Sequence, residues 1–193
     1  MSQFRHSERR SIVLSVEHPY VTLARDAIRH YLATGTLLDV SGRSDDRPAQ
    51  GVFVSLHDHA AAEGRLRGCV GSIVPSQAGL CAEIVRQAVN AATSDPRFPP
   101  IRADDIDDLD VTVYLLEPPV AVDGIDDLDP SRYGVIVESR TGRRGLLLPA
   151  IPGIETARQQ VEIAKRKALI QANEPVRLFR FGAEILNEES AEQ

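Results

Sequence analysis

A chain of 193 residues, 42% hydrophobic and 26% charged, suits one domain, or one domain carrying a small subdomain. It buries roughly 70% of its unfolded surface on folding, so it needs no disulfide or metal staple. Its net charge of -6 disfavours a general nucleic-acid binder, and no apolar run approaches the ~20 residues of a membrane span. Two cysteines, Cys69 and Cys81, make neither a disulfide framework nor a zinc site by themselves, which fits a reducing cytoplasm.

Glu8 to Val16 holds a twin arginine followed by apolar residues. Glu17 and His18 end that stretch and no small-residue cleavage site follows, so it reads as an extended lead-in rather than an export signal. Pro19 to Thr34 is expected to be a helix. Tyr20, Leu23, Ala27 and Tyr31 share one face, with Pro19 in the first turn and Gly35 after the last. Ser41 to Gln50 is a loop by composition. Gly51 to Leu56 reads as a strand, His57 to Gly64 as a connection, and Arg65 to Ile73 as the second strand of a hairpin.

Ser76 to Ser94 reads as a second helix, stopped by Asp95-Pro96. Asp110 to Leu116 is a strand. Tyr133 to Ser139 and Arg144 to Leu148 form a second hairpin, Glu155 to Ile170 a third helix, and Val176 to Ile185 a last strand before an acidic, frayed tail. Ile-Asp-Asp-Leu-Asp occurs at 106–110 and again at 125–129. Five residues are too few for a repeat architecture, so both read as acidic turns. Hairpins separated by helices, without regular βαβ alternation, point to an α+β fold with antiparallel sheets.

Leu66-Arg67-Gly68-Cys69-Val70-Gly71-Ser72 is the most informative stretch. In a strand, Arg67, Cys69 and Gly71 fall on one face and Leu66, Gly68 and Val70 on the other. Two glycines in one strand mark close approach by a ligand or another backbone. A guanidinium beside the cysteine favours the thiolate, whereas a free cysteine with no such neighbour is commonly a small buried apolar residue. The Asp95 to Pro100 loop holds three prolines, which present Arg97 and Phe98 rigidly. There Asp95 or Arg97 serves an anion or the thiol, or the two pair with each other while Phe98 fills the core. His57-Asp58-His59 has the spacing to offer two imidazoles to a metal, but its position suits a solvated turn. The Asp104 to Asp110 run lacks the glycine and terminal glutamate of a calcium loop, so neither metal nor cofactor is expected.

The stretch LRGCVGS resembles the LRGCIG signature of the AMMECR-one domain family, called AmmeMemoRadiSam system protein A in prokaryotes. Three further segments are similar in order: Gly51 to Leu56 to the G-x-F-V-T-L strand, Asp95 to Pro100 to the D-P-R-F-x-P loop, and Gly145 to Pro149 to G-L-L-L-P. The resemblance spans about residues 20–185. It implies a larger part holding both chain ends and a smaller inserted part, with a cleft between them toward which the LRGCIG-like residues point. The smaller part maps to about residues 120–173, and the larger to about 1–119 plus 174–193. By the same resemblance, a Memo-like protein and a radical SAM enzyme are the expected partners; no nucleic acid and no membrane are expected, from the net charge and the lack of a long apolar run. Two positions depart from the pattern: Ala150 stands where the family often has glutamine, and Leu169 where its K-A-G run has glycine.

The resemblance brings no established reaction. Two classes of function remain. One is a binding module with a cleft formed by Arg67, Gly68, Gly71, Ser72, Asp95 and Arg97 around Cys69. The other is a thiol-dependent enzyme with Cys69 as nucleophile and backbone amides near Gly68 and Gly71 as anion stabilisers. No motif links a histidine to Cys69, so a Cys-His pair is not asserted.

Overall fold

The computed structural model describes residues 18–59 and 64–187. The twin-arginine segment and the acidic tail beyond Asn187 lie outside them. Helix α1, Pro19–Thr34, has the predicted bounds. The His18 ring accepts the Tyr20 N–H at 3.2 Å, and Gly35 takes a left-handed φ of 73° to cap the last turn through Tyr31.

Strands β1 (Gly51–Asp58) and β2 (Leu66–Ser72) form the first hairpin, with Ser55 opposite Cys69 and Leu56 opposite Gly68. Strand β3 (Leu109–Leu116) pairs with the other side of β1, and β8 (Ala183–Leu186) with β3, giving the antiparallel order β2-β1-β3-β8. Helices α1 and α2 (Leu80–Thr93) cover one face of this sheet. Val52, Val54 and Leu56 alternate into that core against Ile28, Ile84 and Ala88, all fully buried. Each such valine, leucine or isoleucine contributes about 1.5–3 kcal/mol of burial.

The second sheet has the order β4-β7-β5-β6, also antiparallel: β4 (Val120–Val122), β5 (Gly134–Ser139), β6 (Arg144–Leu147) and β7 (Val176–Phe181). Helix α3 (Ala157–Lys167) covers its outer face through Val161 and Ala164 against Val135, Val137 and Leu147. A third cluster joins the sheets, with Phe53 and Tyr114 of the first sheet and Ile73 just past β2 meeting Ile136, Leu146, Phe179 and Phe181 of the second. Two antiparallel sheets therefore lie between two helical layers, the α+β class expected.

Several boundaries differ from the sequence reading. Helix α2 begins at Leu80 rather than Ser76, because the buried Glu83 carboxylate accepts the N–H groups of Ser76 (2.7 Å) and Gln77 (2.9 Å) and holds them in a turn. Helix α3 is shorter than expected. Thr156 and Gln159 close a capping box at its start, and Leu169 turns left-handed (φ 55°) just past its end. The strand expected over Val176 to Ile185 breaks at Gly182 into β7 and β8, which belong to different sheets. The second sheet therefore extends through Phe181, beyond the 173 boundary expected for the smaller part. His57 is within β1, not in the connection. Both Ile-Asp-Asp-Leu-Asp copies put Ile-Asp-Asp in a 3-10 helix and bury the following leucine, Leu109 and Leu128.

Candidate functional site

Strand β2 is an edge strand, and an edge leaves backbone groups unpaired. At Cys69 the Asp95–Arg97 loop fills that role. Asp95 Oδ2 accepts the Cys69 N–H at 2.9 Å, and the Arg97 guanidinium donates to the Cys69 carbonyl at 3.2 Å. Asp95 also accepts the Arg97 N–H (3.1 Å), Nε (2.9 Å) and Nη2 (2.6 Å). These donors, the Arg97 guanidinium first, hold the buried Asp95 carboxyl well below the usual carboxylate range against the opposing effect of burial. The loop acts as a side-chain substitute for a neighbouring strand, and it fixes the Cys69 backbone from outside the sheet.

The Cys69 side chain points the other way round the strand from Gly68, on the face of the sheet turned from α2. Its cross-strand neighbour there is Ser55. Burial pushes the thiol pKa up. Arg97, Lys167 and the Ser55 hydroxyl act in the opposite direction, and Asp95 reinforces burial. Tyr114 on β3 lies close enough for the thiol's charge to raise its hydroxyl too, after burial as the larger cause. Lys167 comes from the last turn of α3, so the second sheet's own helix supplies a cation to a cysteine of the first. Desolvation lowers the Lys167 pKa; Cys69 opposes that change and Arg97 adds to it.

Ser55 also links Cys69 to a histidine. The Ser55 hydroxyl lies 3.3 Å from His57 Nδ1, two residues along the same face of β1. Burial lowers the His57 pKa, with Asp110 opposing, so the ring favours its neutral form. His59 instead pairs with Asp110 Oδ1 at 2.8 Å. No group of three or more histidine, cysteine or acidic side chains suited to a metal is present among the described residues. No described helix is long and apolar enough to cross a membrane.

The expected cleft residues divide. Asp95 and Arg97 gather at Cys69. Arg67 shares its face but is tied to Asp58 at 2.9 Å, so the guanidinium that acts on the thiol is that of Arg97. Gly68 faces α2, where an added Cβ would meet the Ala91 carbonyl at 2.1 Å: the close approach is by another backbone. At Gly71 the corresponding space is taken by Phe53. Ser72 donates to the buried Glu83 at 2.9 Å, on the helix side. Ser55, Tyr114 and Lys167 were not expected at the site, and His57 was weighed only as half of a metal pair or as part of a solvated turn. Strand alternation, which puts Ser55 and His57 on one face, carried the signal for those two.

Comparison with known proteins gives a consistent result. The AMMECR1 family model matches residues 21–186. A protein of Thermotoga maritima is 42% identical over 172 residues, covering 87% of this chain and 97% of its own length. A protein of Clostridium acetobutylicum is 39% identical over 84% of this chain, but the match spans only 34% of that longer protein. The crystal structure of an uncharacterised protein of Pyrococcus horikoshii superposes with a TM-score of 0.78 at 31% identity, covering 86% of this chain and 88% of that one.

Proposed function

The chain belongs to the AMMECR1 family, and from that premise we propose that its Cys69 face, approached by Lys167 from the second sheet's helix, binds a ligand or a partner's group between the two sheets. The observation that carries this reading is the convergence on one half-buried thiol of a lysine and an arginine with two hydroxyls, Ser55 and Tyr114. Such a set recognises a ligand bearing both charge and hydrogen-bonding groups. The raised thiol pKa favours binding over nucleophilic attack in the free protein, since the thiolate is the reactive form. The family resemblance adds a Memo-like protein and a radical SAM enzyme as the partners, in the cytoplasm.

One observation favours the second reading, a thiol nucleophile. Ser55 stands between Cys69 and the neutral-leaning His57, which gives a route for the thiol proton to leave. Alkylation separates the two. As a binding site, Cys69 reacts slowly with iodoacetamide at neutral pH and faster as pH rises. Cys81, fully buried and pushed up to about 11, stays inert until the protein unfolds. In complementation of a deletion strain, folded Cys69→Ser retains function and Lys167→Met loses it. Rapid neutral-pH labelling of Cys69, with loss of function in Cys69→Ser, would reverse the assignment to catalysis.

A further inference from the structure

A hollow of about 490 Å³ opens where the inner face of the second sheet runs out past the end of the first, and Cys69 does not line it. Its size is that of small-molecule sites, roughly 300–1,000 Å³. Ile136 and Phe179 form an apolar floor on the second sheet. Ile73, Val74, Pro75 and Pro118 form the facing wall. Three large apolar side chains are exposed among the described residues. Val74 (71% exposed) lines this hollow, and Val120 (60%) directly follows its Pro118–Pro119 wall.

One end is charged by design of the strand register. Arg144 and Glu138 line that end, and Arg177, just outside the lining, completes their cross-strand row over β6, β5 and β7. The buried Glu138 carboxylate accepts Arg144 Nε at 2.6 Å through Oε2, and Arg177 Nη2 through Oε1. Two guanidinium groups thus share one carboxylate, which leaves this end net positive. Among the described residues, Arg144 Nη1 and Arg177 Nε and Nη1 donate no hydrogen bond. At the other end Glu117 lies against Gly182, five residues along the chain from Arg177 or about 16 Å at strand rise. An anion is therefore attracted at one end and repelled at the other.

We propose that this hollow binds a small amphipathic acid, its apolar body along Val74, Ile136 and Phe179 and its acidic head at Arg144, with Arg177 adding positive charge from just outside the lining. The arrangement is that of a ligand site with an apolar lining and a few polar groups that fix orientation. It is separate from the Cys69 cluster and stands whichever way that cluster's role is decided.

The test uses the full-length chain and the dye anilinonaphthalene sulfonate, an apolar body with an anionic head, followed by fluorescence; the chain has no tryptophan to interfere. Dodecanoate is expected to displace the dye at least tenfold more tightly than dodecylamine. Val74→Asp places a carboxylate on the apolar wall, and Arg144→Gln removes a head-group cation while Arg177 still pairs Glu138. Each weakens dodecanoate about tenfold, the scale of one charge-assisted hydrogen bond. Leu169→Asp, at an exposed apolar residue beyond α3, leaves it unchanged. Equal displacement by acid and amine overturns the proposal, as does unchanged affinity in both folded groove variants. Phosphatidylglycerol vesicles competing as well as the free acid would put the ligand in a membrane and overturn the small-molecule assignment.

Discussion

Replacing Asp95 with alanine tests whether the loop clamp sustains the edge strand that carries Cys69. The substitution removes four hydrogen bonds at once: one from the Cys69 N–H and three from Arg97. Arg97 is half exposed and regains water, so its ion pair counts for little. The backbone donors of Cys69 and Arg97 lose a charged acceptor that is only 3% exposed. Each such bond contributes about 1.5–3 kcal/mol, which water entering the gap offsets in part, so Asp95→Ala is expected to cost about 2–4 kcal/mol. For a chain this long that lowers the melting temperature by roughly 5–15 °C. Urea titration at pH 7, by circular dichroism, measures it. The pH dependence carries a sign. Asp95 has a depressed folded-state pKa, so its contribution is full above the ordinary aspartate pKa of about 3.9 and is lost as pH falls through the folded value. The stability gap between wild type and Asp95→Ala is therefore constant from pH 7 to about pH 5 and shrinks below pH 4. A gap under about 0.5 kcal/mol at pH 7, or one that stays constant down to about pH 2.5, would refute the clamp.

Gly68→Ala drives a Cβ into the Ala91 carbonyl and is expected to destabilise by about 1–3 kcal/mol with no change in Cys69 alkylation rate in the folded protein, measured by urea titration and mass spectrometry. Leu169→Gly relieves a left-handed backbone at an exposed leucine. Strain relief of about 1–2 kcal/mol exceeds the added unfolded-state entropy, so the melting temperature rises by about 1–3 °C in calorimetry.

Local signals carried much of the fold. Pro19 and Gly35 bracket α1 because each suits only one end of a helix. The alternation of Val52, Val54 and Leu56 marks the buried face of β1. What escaped needed partners distant in the chain. Glu83 displaces the start of α2 by accepting N–H groups from the preceding turn, an arrangement that helical periodicity alone does not reveal. The break at Gly182 is hidden by an alternation that continues across it, since a period of two says nothing about which sheet a strand joins. The same distinction separates the two arginines. Arg67 is the cysteine's neighbour in sequence, Arg97 its electrostatic neighbour in space. Lys167 lies 98 positions from Cys69, and only the packing of α3 brings it there. Both departures from the family pattern, Ala150 and Leu169, are non-glycine residues with positive φ, and no other such residue occurs among the described ones.

The chain crosses between the two sheets at two adjacent places, from Leu116 to Val120 and through Gly182, and the Glu117 N–H ties one crossing to the other by donating to the Gly182 carbonyl at 2.9 Å. The bond makes the two crossings one seam, so the sheets meet along a single tied edge as well as through the cluster of Phe53, Ile136 and Phe181. Lys167 reaches the thiol from the second sheet's helix and the apolar hollow is lined from both sheets, so both rest on that one seam.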